Sequence, residues 1–183
     1  MRRLGASVFL VLAVGFTAGR AAGVEAWVVV AAVVVVLAVI ARVAPVRSVP
    51  VGAALVAASL AVLAAAVAGH VDLSSVMGDG QGALGTARIA GLGALLANGS
   101  NNLPAFLVGR PALPPGGAAT WAWLLGVNIG PTLLVTASLS GLLWRETMRR
   151  EGVPVPALEY LRVGARVGLP ALVAATAVLV WTT

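Results

Sequence analysis

Apolar runs separated by short polar or Pro/Gly stretches set the rhythm of this chain. Residues 4–19 lie between Arg3 and Arg20, residues 24–43 carry Glu25 and Arg42 near their ends, and residues 51–69 hold no charge. Pro45 and Pro50 bracket the short connection before the third run, and residues 70–82 form a polar stretch after it. Two further runs are interrupted. Residues 83–109 are split by Asn98-Gly99-Ser100-Asn101-Asn102, and residues 121–144 by a Gly130-Pro131 pair near their middle. A charged loop over 145–156 and a lead-in over 159–166, with Tyr160 as an interfacial anchor, precede a last run over 167–181. A membrane-crossing helix needs about 20 mostly apolar residues, with a lower limit near 17. The pattern predicts an all-α polytopic membrane protein of five transmembrane helices and one re-entrant hairpin.

The hairpin is the split segment 83–109. Apolar or Gly residues precede the Asn-rich knot, and the apolar character resumes at Leu103-Pro104. Lipid satisfies neither amides nor free backbone groups, so such a break must be buried in protein or line a wet cavity. The arm over residues 89–97 spans only about 14 Å, roughly half a hydrocarbon core. Each arm therefore reaches the midplane and turns back at the knot, where Asn and Gly tolerate unusual backbone angles.

Arginine counting gives the same answer. All twelve basic residues are Arg. With a cytoplasmic N-terminus and a hairpin, Arg2, Arg3, Arg42, Arg47, Arg145, Arg149, Arg150, Arg162 and Arg166 fall inside, nine in all. Arg20, Arg88 and Arg110 stay outside. A full crossing by the split segment would instead leave seven outside and five inside, against the positive-inside rule. The expected location is the plasma (cell inner) membrane, multi-pass, with the C-terminus outside.

The second break carries Asn128, Thr132, Thr136, Ser138 and Ser140 around Gly130-Pro131. Pro131 lacks an amide hydrogen and its ring clashes with the carbonyl of Val127, which frees backbone carbonyls. A lone Gly-Pro pair is often only a kink, and membrane Ser or Thr often only join helices. Two interrupted segments in one chain point instead to a secondary transporter, with half-helix ends meeting at a central site. Residues 1–82 then read as a three-helix scaffold part and 83–183 as the transport part of one integral membrane domain. The expected substrate or ion ligands are Asn98, Ser100, Asn101, Asn102, Asn128, Thr132, Thr136 and Ser138, with Pro104, Gly130 and Pro131 as helix-break residues.

Composition narrows the chemistry. The chain is 60% hydrophobic with a mean hydropathy of +1.03 and 10% charged residues, well below the roughly 25% charge of soluble domains. The net charge of +6 lies between apolar runs rather than along a stripe with aromatics, which argues against nucleic acid. Absence of Cys excludes disulfides, thiolate metal sites and Cys nucleophiles. His70 has no ligand cluster in sequence, and with Asp72 reads as a solvated interfacial pair rather than a proton relay. Gly78-x-Gly80-x-Gly82 lacks the Lys and the strand of a phosphate loop and reads as a flexible loop. Every carboxylate falls at a helix end or in a loop, so a buried proton carrier is missing. Neutral amides and carbonyls suit a sodium ion, a neutral oxyacid such as arsenous acid, or an anion at a helix N-terminus. No cofactor or metal site is expected, the coupling ion (Na+ or H+) stays open, and no nucleophile–base pair supports an enzyme.

Asn101-Asn102-Leu103-Pro104 resembles the Asn-Asn-hydrophobic-Pro motif of the arsenite efflux membrane subunit in the ion transporter superfamily. Gly126-Val127-Asn128-Ile129-Gly130-Pro131, then Thr136-Ala137-Ser138 on to Trp144, is similar to that family's second motif. The Arg149-Arg150-Glu151-Gly152 loop, Glu159-Tyr160, and Gly164 through Pro170 follow in order. The match covers residues 83–183 by motif and 1–82 by hydropathy alone, and Ala137 stands where the family usually has Gly. The resemblance implies two inverted repeats, of which this chain looks like the C-terminal one. It implies arsenite or a related small oxyanion as substrate, with sodium/proton or dicarboxylate exchange as alternatives. It also implies a second transporter half, or an inverted second copy, as partner in the lipid bilayer. A non-transporting accessory or truncated subunit is the competing reading.

Overall fold

The computed structural model describes residues 2–41 and 51–183. Nine α-helices and three 3-10 turns account for most of these residues, and no strand occurs among them. Arg42, Arg47 and the Pro45–Pro50 connection lie outside the described residues.

The first compact unit holds α1 (Arg2–Ala21) and α2 (Ala26–Ala41), joined by a turn in which Gly23 takes φ 72°. Small residues let them pair: a Cβ at Gly15 would stand 2.6 Å from the Val29 side chain. The second unit runs from Val51 to the C-terminus. It contains α3 (Val51–Ala68), α4 (Ser74–Met77), α5 (Gly82–Ser100), α6 (Asn102–Gly109), α7 (Gly117–Ile129), α8 (Leu139–Arg150) and α9 (Ala157–Thr182). The two compact units divide at 50/51, and α3, read in the scaffold part over 1–82, packs along α6.

α5 and α7 form the heart of this unit. A Cβ at Gly126 of α7 would run into the carbonyl oxygen of Ala90, so the two backbones touch where no side chain intervenes. Trp123, fully buried, fills the remaining space with Ile89, Ala97, Ala105 and Val127. Gly93 and Gly109 both lie against Trp123. They sit eight residues before and eight after Asn101, so the chain reverses there and both arms close on one indole.

Several expectations change. Among the described residues one helix, α9, is by length and composition long and apolar enough to cross a membrane. The apolar stretches Ser7–Ala21, Ala26–Ile40 and Leu55–Ala68 are shorter, and the run over 121–144 is divided between α7 and α8. The five expected spans are thus not all present as spanning-length helices among the described residues. The hairpin arms are unequal: α5 has 19 residues and α6 has 8, about 28 Å and 12 Å. The first two turns of α5 are polar in use. Arg88 donates from Nε to the Val76 carbonyl (2.7 Å) and from Nη2 to the Ser75 and Val76 carbonyls, tying α5 to the end of α4. The stretch 70–82, expected as open loop, thereby holds a helical turn with Met77 buried. The lead-in over 159–166 and the last run are one continuous helix, α9, since no breaker separates them and Pro170 is accommodated within it.

Candidate functional site

Both interrupted segments are interrupted in the structure, by different means. At the hairpin tip the break is one residue wide. Asn101 takes φ 89° and ψ 151°, a region that glycine alone adopts without strain. Gly99, the obvious turn former, stays helical inside α5. Asn101 then caps the next helix, its side-chain oxygen accepting from the Leu103 N–H at 3.3 Å. Pro104 does not break anything. It lies in the first turn of α6, where its missing N–H would have had no intrahelical partner.

The second break is longer than Gly130-Pro131 suggests. 3-10 turns over Gly130–Thr132 and Val135–Ala137 extend it to Ser138, which starts α8 by accepting from the Gly141 N–H at 3.0 Å. The two breaks are bonded to each other. Asn98 Nδ2 donates to the Gly130 carbonyl at 2.8 Å and to Ala94 at 2.8 Å, and Asn101 Nδ2 donates to the Thr136 carbonyl at 3.1 Å. The Thr136 carbonyl gains a donor from Asn101, and the Gly130 carbonyl, which also accepts from the Leu133 N–H at 3.3 Å, gains a second from Asn98.

A cavity of about 810 Å³ opens beside the paired breaks. Its polar wall is Asn102, Asn128, Thr132, Ser138 and Ser140. Its apolar wall includes Trp144, Tyr160 and Val163, with Trp144 and Tyr160 in ring contact at 5.8 Å. The first residues of α6 and α8 both border it, so two helix N-termini with incompletely bonded N–H groups begin there. Their partial positive charge favours an oxygen-rich, neutral or singly anionic group. Glu159, in the first turn of α9, is the charged side chain in the wall.

The candidate ligands divide accordingly. Asn102, Asn128, Thr132 and Ser138 share the cavity. Among the described residues Asn102 has no side-chain hydrogen-bond partner, which leaves its amide available to a ligand. Asn128 Nδ2 donates to Leu124 O and Thr132 Oγ1 to Ile129 O, at 2.8 and 2.9 Å. Asn98, Ser100, Asn101 and Thr136 lie outside the cavity wall. The first and third of these are struts between the breaks, the Ser100 hydroxyl bonds to Leu96 O at 2.8 Å, and Thr136 contributes its carbonyl to Asn101. Ser140, Gly164 and Glu159 are wall residues that the list of expected ligands missed. The i, i+4 spacing of Tyr160 and Gly164 on one helix face was the available signal.

Away from the cavity, Asp72 accepts from the Ser74 hydroxyl (2.5 Å) and N–H (2.9 Å), which holds its carboxyl below the usual range. Among the described residues no group of three or more His, Asp or Glu gathers to hold a metal ion. Comparison with protein-family models, curated proteins and solved structures finds no match to this chain.

Proposed function

We propose that the chain is a half-size secondary transporter of the arsenite and ion transporter type, moving arsenite or a related small oxyanion with a second half. The observation that carries this reading is the meeting of two broken helices at one cavity. The helices α6 and α8 begin there, capped by Asn101 and Ser138, and amides from one break bond the carbonyls of the other. Such paired discontinuities suit a site that binds through helix ends and backbone groups. In this reading α1, α2, α3, the run 121–144 through α7 and the start of α8, and α9 cross the bilayer, tilted or assisted by local thinning where short. The α5–α6 hairpin enters from outside. Large exposed apolar residues in each unit, such as Phe9 (75%) in the first and Val62 (71%) and Val173 (69%) in the second, support lipid contact. The cavity wall includes Val153 to Pro156, in the loop that arginine counting puts in the cytoplasm, so the cavity opens inward.

The test is arsenite efflux from cells expressing the chain with its neighbouring reading frame, comparing Asn102→Ala. Asn102 makes no structural hydrogen bond, so its loss leaves the fold intact. We expect efflux to collapse while membrane abundance holds. Unchanged efflux in this variant, or none in the parent, rules against the reading.

A further inference from the structure

Helix α9 meets the second break at two glycines one turn apart. A Cβ at Gly164 would run into the carbonyl oxygen of Thr132 and stand 2.8 Å from its carbonyl carbon. A Cβ at Gly168 would run into Thr132 Oγ1 and stand 3.0 Å from its Cβ and 3.6 Å from its Cγ2. Backbone is thus pressed by one position and side chain by the other. Thr132 is fixed from a third direction by its own bond to the Ile129 carbonyl. It lines the cavity, as Gly164 does, whereas Gly168 lies behind it. Close packing gives such a residue no slack to absorb an added methyl group.

We propose that Gly168 is the positioning residue for Thr132: the absence of a side chain at 168 sets where Thr132 stands in the cavity wall, and hence the ligand size admitted. Residue 168 touches no ligand itself. The inference rests on the transport reading only in calling the cavity a substrate site.

The chain has no Cys, so a single introduced thiol reports alone. The full chain in lipid nanodiscs carries Thr132→Cys or, as reference, Ser140→Cys, each with and without Gly168→Ala. The readout is the rate of modification by a small methanethiosulfonate. Gly168→Ala is expected to change the Thr132→Cys rate severalfold and leave the Ser140→Cys rate unaltered. A second measurement covers poor folding. Thr132→Ala removes the oxygen and methyl that Gly168→Ala would strike and leaves only the 3.0 Å approach to the residue 132 Cβ, so the double variant should recover most of the thermal midpoint lost in Gly168→Ala. The same Thr132→Ala cannot rescue Gly164→Ala, whose clash is with backbone. An unchanged Thr132→Cys rate, an equal change at Ser140→Cys, a double variant that still fails to fold, or equal rescue of both glycine variants overturns the proposal. None of these readouts needs transport, so the proposal and the efflux reading fail separately. In efflux-competent membranes, Gly168→Ala should raise the KM for arsenite about tenfold per folded molecule, as misplacement by a fraction of an ångström would. Thr132→Ser should stay near the parent.

Discussion

The two breaks solve one problem in opposite ways. At the hairpin tip a single residue does everything: Asn101 turns the chain, caps α6 and still has a donor to spare. The second break spreads over nine residues from Gly130 to Ser138 and relies on others. Asn98 and Asn101 satisfy its carbonyls, and two glycines of α9 make room for Thr132. A compact break is written locally, and an extended one is held from outside.

The sharpest way to break this contrast is Asn101→Ala. It keeps the unfavourable backbone angles but removes both the cap and the bond to Thr136, at about 3 kcal/mol from summed cap and hydrogen-bond losses. Thermal unfolding in detergent should register it as the largest loss of the series. Asn98→Ala tests the dependence of the second break, leaving the Gly130 carbonyl without its amide. The carbonyl keeps its bond from the Leu133 N–H at 3.3 Å, so about 1 kcal/mol is expected from one lost hydrogen bond, lessened because Asn98 Oδ1 is itself buried without a partner among the described residues. Amide exchange should rise across the second break and not in α5.

Ser138→Ala removes the cap of α8 and the hydroxyl contact with Ser140 at 3.1 Å, for about 1 kcal/mol. Asn101→Gly should lose less still, since relief of the backbone strain offsets the lost bonds. If Asn101→Gly is as damaging as Asn101→Ala, the tip depends on its amide rather than its turn.

The smallest effect belongs to Glu146. Hydrogen bonds from Arg149 and then Arg150 bring its carboxyl down to about 2. A depressed folded-state value means that its contribution is present above the unfolded value, near 4.3, and is lost as pH falls toward about 2. The two arginines are largely exposed and the carboxylate partly so, which leaves the pair screened by solvent, so Glu146→Gln should shift the thermal midpoint barely at neutral pH and less still near pH 2.

What could be read in advance follows the same division. The tip was legible because Asn-rich turns inside apolar runs have a local cause. Gly130-Pro131 marked where the second break begins, but Leu133, Leu134 and Val135 carry no sign that it continues to Ser138. The continuity of α9 was hidden because Arg162 and Arg166 look like a boundary by charge alone, whereas a helix at a membrane edge carries arginine without ending. The seat for Thr132 was also out of reach. Gly164 and Gly168 have ordinary small-residue spacing, and only the three-dimensional approach tells which backbone they admit.

The indole gripped between the hairpin arms offers a spectroscopic handle. Trp123 is completely buried, and its Nε1 has no hydrogen-bond partner among the described residues. Such a ring should emit at the blue edge of the tryptophan range and resist aqueous quenchers. Parting of α5 from α6 would wet it from both sides at once, so red-shifted emission from a chain keeping only this tryptophan would time the opening of the hairpin directly.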